Sequence, residues 1–310
     1  MKKRFFAATL SAVLLVTAAG CGSSAIPPTE DNTLNILATT YPVYLFTTAV
    51  TDGVEGVEVT RLINEEVSCL HDYTLSVNDM KAIEKADVIV MNGAGLEDFM
   101  SDALATSDAV VIDCSEGIEL LPATGHHDHD HGEETEGEHF DPHFWLDPQR
   151  AIQMVENINA GLNEIDGNNS KTYAANTEAS ALVLSGLTSL MQELGAQDLF
   201  LSTQLITFHD GFQYFADAFG LNLLKSIEEE EGAEASAAEI KEIVALIEEH
   251  DIPAIFVEKN GSDSTAQAIA RETGVAVYEL DMLMSGEGSN IRPYVEVMHD
   301  NLQTIAEALK

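Results

Sequence analysis

Short apolar runs alternate with amphipathic stretches along most of the chain. Leu34–Thr39, Val57–Leu62, Asp87–Asn92 and Ala109–Asp113 have the length and apolar content of buried strands. Gln204–Phe208, Leu221–Leu224, Ala254–Glu258 and Val275–Leu280 repeat the theme in the second half. Segments of helical period lie between them. Ser76 with Asp79 three residues on, and Ser236 with Glu239, read as capping-box helix starts. After the second start, Ile240, Ile243, Val244 and Ile247 share one face. Strands alternating with helices predict parallel βαβ units and an α/β fold.

The middle of the chain is helical. Asp147-Pro148 is an N-cap with proline at the first helical position, and Ile152, Val155, Ile158, Leu162 and Ile165 follow at helical spacing. Beyond a break at Gly167, a second helix is predicted over Asn168–Leu194, with Val183, Leu187, Leu190 and Leu194 on one stripe. At the usual rise it spans about 40 Å, enough to run from end to end of a two-lobed protein. It reads as a stiff connector that opposes wide hinge closure, leaving small shifts and loop ordering as the expected motions.

The first residues stand outside this pattern. Lys2, Lys3 and Arg4 precede an apolar run from Phe5 to Ala19, and Ala18-Ala19-Gly20-Cys21 follows. That is the layout of a secretory signal, too short for a membrane span. Its ending resembles a bacterial lipoprotein signal, in which the cysteine takes lipid and becomes the new N-terminus. Gly22–Asn32 is a small-residue, Pro-containing stretch without hydrophobic periodicity. The expected division is therefore a lipoprotein signal peptide at 1–20 and a flexible tether at 21–33, with Cys21 as lipidation site. An N-terminal α/β lobe at 34–166, a linking helix at 167–196 and a C-terminal α/β lobe at 197–310 complete it. The working place is extracytoplasmic, on the bacterial cell membrane through the lipid at Cys21.

Composition narrows the function. The 310 residues suit about two domains. With 53 acidic against 14 basic residues and a net charge of −39, the chain is repelled by phosphate backbones, which argues against a nucleic-acid partner. Three cysteines are too few for a disulfide scaffold. Residues 125–139, GHHDHDHGEETEGEH, contain five histidines and no aliphatic residue, so they form a solvated insertion in the first lobe. His126, His127, His129, His131 and His139 there suit loose accessory binding of Zn²⁺ or a similar ion.

Three other histidines have more telling positions. His71 lies in the loop after Val57–Leu62, His143 stands just ahead of the Asp147-capped helix, and His209 directly follows Gln204–Phe208 and opens the next helix. Asp281 directly follows Val275–Leu280. Ligands of open α/β sheets bind outside the carboxyl ends of strands, where these residues fall. Two come from each half, which places the site in a cleft between lobes. Three imidazoles and one carboxylate supply the four donors that Zn²⁺ takes. His250, near a helix end, and His299, in the last amphipathic helix, are read as surface residues.

DPHFWLDP (141–148), TFHDGFQYFADAFGL (207–221), YELDML (278–283) and ADVIVMNGAGLEDFM (86–100) resemble the motifs of the cluster A-I solute-binding proteins, the zinc and manganese receptors of ABC importers. The resemblance covers nearly the whole chain after the signal. It implies two lobes, each with a four-stranded parallel sheet, joined by one long helix. It also implies His71, His143, His209 and Asp281 as metal ligands. Zinc members tend to carry histidine at the third place and manganese members glutamate, so His209 favours zinc, as does the His-rich loop. Cys69, two residues before His71, is an alternative thiolate ligand, a partner for Cys114, or a buried free thiol.

The leading expectation is a monomeric, non-enzymatic receptor that captures Zn(II) as cargo and delivers it to an ABC permease driven by a cytoplasmic ATPase, with Mn(II) second. Capture needs deprotonated imidazoles, so affinity should fall as pH drops through about 6.5. A zinc-dependent hydrolase, with Asp281 or Glu258 as base, is a second reading; the chain lacks a His-Glu-x-x-His pair. An extracellular zinc buffer or adhesin relying on the His-rich loop is the third.

Overall fold

Val88, Ile89 and Val90 are buried in succession, as are Ile36, Leu37 and Ala38, so these runs form central strands covered on both faces. In the computed structural model, which describes residues 33–66, 70, 73–123, 139–197, 200, 204–209, 211–228 and 236–310, they belong to a parallel sheet. Its strands are β1 (Leu34–Ala38), β2 (Val57–Arg61), β3 (Val88–Met91) and β4 (Val110–Asp113), in the order β2-β1-β3-β4. A second parallel sheet has β5 (Gln204–His209), β6 (Asn222–Glu228), β7 (Ala254–Glu258) and β8 (Ala276–Leu280), in the order β6-β5-β7-β8. The strand order is the same in both. This is the expected α/β architecture of two four-stranded parallel sheets flanked by helices.

The helices of the first half are α1 (Tyr41–Val50), α2 (Val77–Lys85), the short α3 (Ser101–Leu104) and α4 (Pro148–Ile165). The long α5 (Ser170–Gly195) follows, then α6 (Gln213–Phe219), α7 (Ala237–His250), α8 (Ser264–Thr273) and α9 (Arg292–Ala308). Both capping boxes form as expected, at Ser76–Asp79 and Ser236–Glu239. Asp147 caps α4 by accepting the Gln149 amide. At 26 residues α5 is about 40 Å long. At its end, a Cβ on Gly195 would lie 1.8 Å from the Phe219 carbonyl, so only glycine lets the long helix come this close to α6.

Three local expectations are corrected. The buried face of α5 runs through Tyr173, Thr177, Ser180, Leu184, Leu187, Thr188 and Met191, whereas Val183 and Leu190 are exposed. Small hydroxyl residues share the inward face with aliphatics, and Thr188 returns its hydroxyl to the Leu184 carbonyl at 3.1 Å. Strand β6 extends beyond Leu224 through Lys225 and Ser226, a polar edge that apolarity alone does not mark. His209 ends β5 rather than opening a helix, and α6 starts only at Gln213.

The halves are stitched together. Trp145, fully buried, donates from Nε1 to the Met282 carbonyl at 2.9 Å, and the Tyr294 hydroxyl donates to the Trp145 carbonyl at 2.7 Å. The Tyr214 hydroxyl donates to the Asp141 carbonyl and accepts the Leu121 amide, both at 2.8 Å. Arg61 donates to the Gly286 carbonyl at 3.1 Å and stacks over the Tyr41 ring. Among the described residues, no helix is long and apolar enough to cross a membrane.

Candidate metal centre

The first half positions His143 through buried polar ties at the ends of its strands. Asn92, just past β3, donates from Nδ2 to the Pro142 carbonyl at 2.9 Å, holding the His143 turn against the sheet edge. That edge is fixed by Glu97, whose carboxylate accepts the Thr39 hydroxyl and the amides of Asn92 and Gly93. Burial pushes the Glu97 carboxyl up to about 7, although those three donors pull it down. His143 is itself 2% exposed. Asp141 Oδ1 accepts the His143 amide at 2.8 Å and faces its Nδ1 at 2.7 Å. An ionised carboxylate only accepts, so Nδ1 carries the proton and Nε2 the lone pair in the neutral ring. Metal-binding histidines are oriented in this way. The Trp145 ring packs edge-on against the imidazole, its centroid 5.2 Å away, and its N–H is committed to Met282, so Trp145 has a packing role.

The second half contributes the opposite edge. Asp281 follows β8, with its amide donating to Asn301 Oδ1 at 2.9 Å and its carbonyl accepting Asn301 Nδ2 at 2.8 Å. Its Oδ1 accepts the Leu283 amide at 2.7 Å, and its Oδ2 meets the Lys259 ammonium at 2.8 Å. Glu258, buried at the end of β7, pairs with Leu280 in the sheet register and so sits beside Asp281. His209 ends β5 opposite Glu228, at the same carboxyl end of the sheet. The Trp145–Met282 bond joins the His143 and Asp281 segments directly.

The other candidates divide as follows. His71, Cys69, Cys21, His126, His127, His129 and His131 lie outside the described residues, as does the His209 side chain. His139 is exposed at the base of the His-rich segment, where Pro122 and Phe140 form an antiparallel bridge. Cys114 is a buried free thiol, pushed well above the ordinary thiol value by burial. His250 ends α7 and His299 lies on the exposed side of α9. Among the described residues, no group of three or more histidine, cysteine, aspartate or glutamate side chains is close enough to hold a metal ion. His143 and Asp281 are thus the described part of the four-residue set. Asp141, Asn301 and Lys259 were not singled out in the sequence; the acid two residues before His143 was the one available signal.

Comparison with known proteins fits this geometry. The family described as zinc-uptake complex component A, periplasmic (ZnuA), matches residues 36–308. The chain belongs to this family. Its similarity extends to the zinc-binding lipoprotein AdcA of Streptococcus pneumoniae, 31% identical over 285 residues, which are 89% of this chain and 56% of that protein. The chain thus spans about half the length of that relative. The manganese-binding lipoprotein MntA of Halalkalibacterium halodurans is 29% identical over 316 residues, covering 100% of this chain and 99% of that protein. The crystal structure of ZnuA superposes with a TM-score of 0.76 at 26% identity, covering 90% of this chain and 100% of that one. Both zinc and manganese therefore occur among the family's named cargoes.

Proposed function

We propose that the protein is an extracytoplasmic receptor, not an enzyme, that captures Zn(II) as cargo in the cleft and passes it to an ABC permease driven by a cytoplasmic ATPase. His71, His143, His209 and Asp281 form the ligand set in this reading, with Cys21 carrying the membrane anchor. The observation that carries it is His143, buried, with Nδ1 held by Asp141, on a segment that Trp145 bonds to Met282, the residue after Asp281. Asp141 is buried too, and its Oδ2 has no hydrogen-bond partner among the described residues. Such a carboxylate is costly without a nearby cation, and a metal on the ring it holds supplies one. Imidazole donors favour Zn²⁺ over Mn²⁺, which prefers oxygen. Manganese is the second reading, because the manganese-binding relative matches the chain over its whole length.

The test is a metal titration against a competing chelator, with Zn²⁺ and Mn²⁺ in parallel. One tight Zn²⁺ per chain is expected, surviving deletion of residues 125–138 and lost in His143→Ala. Tight binding that disappears with the deletion would replace the cleft by the His-rich loop. Tighter binding of Mn²⁺ would replace the cargo.

A further inference from the structure

Lys259 holds a positive charge against Asp281, a candidate ligand. Asp281 is fixed on three sides: Asn301 holds its amide and carbonyl, and the Leu283 amide occupies Oδ1. Oδ2 is the carboxylate oxygen that takes no backbone donor in these bonds, and the Lys259 ammonium sits on it at 2.8 Å. The pairing is built into the sheet, because the Lys259 amide donates to the Leu280 carbonyl and fixes the lysine one step from Asp281. The carboxylate is largely covered, 18% exposed, whereas the lysine is 46% exposed and has room to swing out. Glu279 and Glu66 add negative field around the ammonium, Glu66 from the first half of the chain.

Resting on the receptor reading, we propose that Lys259 is an internal competitor for the cargo site, a positioning residue that neutralises Asp281 while the cleft is empty and is displaced when the divalent ion arrives. A zinc–carboxylate bond is about 2.0–2.2 Å long, so a cation on Oδ2 would bring a double charge up against the ammonium. Binding is then an exchange of one cation for another, weaker and more readily reversed than binding to a bare carboxylate. That suits a protein that must also release what it captures.

The experiment measures Zn²⁺ affinity and dissociation rate for the whole chain from Thr33 to Lys310, as wild type, Lys259→Met and Lys259→Arg, each also combined with Asp281→Asn. Lys259→Met should bind about fivefold to tenfold tighter and release correspondingly more slowly, and Lys259→Arg should stay near wild type. The Asp281→Asn background should remove the difference. Independently, acetylation of the Lys259 amine, read by peptide mass spectrometry, should rise when Zn²⁺ is added to wild type. Unchanged or weaker binding in Lys259→Met, or labelling indifferent to Zn²⁺, overturns the competitor role. Failure of wild type to bind Zn²⁺ tightly overturns the receptor reading itself, and this inference with it.

Discussion

The two sheets share one strand order, yet their carboxyl edges present the candidate ligands by different means. On the first, His143 is buried and locked by Asp141, with Glu97 and Asn92 tying the supporting loops beneath it. On the second, Asp281 has a fixed main chain but a carboxylate shared with a half-exposed lysine. The cores differ in the same sense. One continuous apolar cluster runs from the first sheet through α4 and α5 to Tyr294 and Leu302 of α9. A smaller, separate cluster around Ile206, Ile243, Ile255 and Ile269 serves the other face of the second sheet. A rigid edge can hold a donor in a set geometry, whereas a lightly built one can trade a counter-ion for cargo. The first half supplies geometry and the second supplies adjustable charge.

The largest expected effect tests the rigid side. Glu97 is fully buried, and its folded value of about 7 lies above its unfolded value of 4.5. The folded chain holds that proton more tightly than the unfolded chain does. Its stabilising contribution is therefore complete below pH 4.5 and is lost as pH rises through about 7, a change of about 3 kcal/mol. Urea unfolding of wild type between pH 4.5 and 8 should show this decline. Glu97→Gln should flatten it, though at lower overall stability, because its NH2 would replace one accepting oxygen and face either the Gly93 or the Asn92 amide donor. Parallel pH profiles for the two proteins would remove Glu97 from the account.

The next effect compares the supports of the two ligands. Asp141→Ala removes the carboxylate that holds the His143 ring at Nδ1 and should cost roughly 10- to 100-fold in metal affinity. Asn301→Ala removes two neutral hydrogen bonds from the Asp281 main chain but leaves the Leu283 amide on its carboxylate. Its expected loss is smaller, about threefold to tenfold. Chelator competition on both variants checks the order. Equal losses would mean that the two edges are equally preorganised, which the asymmetry in burial argues against.

The strands were legible because most of the runs are dominated by apolar residues, as in Val88–Met91 and Ala254–Val257, and central parallel strands require that. The helix starts at Ser76, Asp147 and Ser236 were legible because capping chemistry is local, confined to four residues. The inward face of α5 was not. Thr177, Ser180 and Thr188 turn inward on a helix whose aliphatic Leu182, Val183 and Leu190 point outward, so hydrophobicity pointed the wrong way. Among the candidate ligands, His143 was singled out by its place ahead of the Asp147-capped helix, Asp281 by its place after a strand, and both by their motifs. Asp141 stood inside one of those motifs without a role, since only the fold shows its oxygen on Nδ1. Lys259 left no trace in the sequence, because its partner is 22 residues away, just past the end of the neighbouring strand.

The smallest effect compares two helix starts of the same chemistry. In the first half, Asp79 closes the capping box of α2 by accepting the Ser76 amide at 2.7 Å, and it is buried, 8% exposed. It also accepts the Tyr73 hydroxyl at 3.1 Å, which joins the helix to the first described residue after His71. Burial, with Asp79 close by, pushes that hydroxyl up to about 12. In the second half, Glu239 closes the box of α7 in full solvent and holds no further hydrogen bond among the described residues. Asp79→Ala should therefore destabilise by about 1–2 kcal/mol, against about 0.5 kcal/mol for Glu239→Ala, in matched urea titrations. Asp79→Ala should also weaken metal binding, because Asp79 holds Tyr73, two residues after the proposed ligand His71, whereas Glu239→Ala should leave binding unchanged. Equal destabilisation with binding untouched in both would make the two boxes interchangeable and confine the first half's rigidity to the His143 turn.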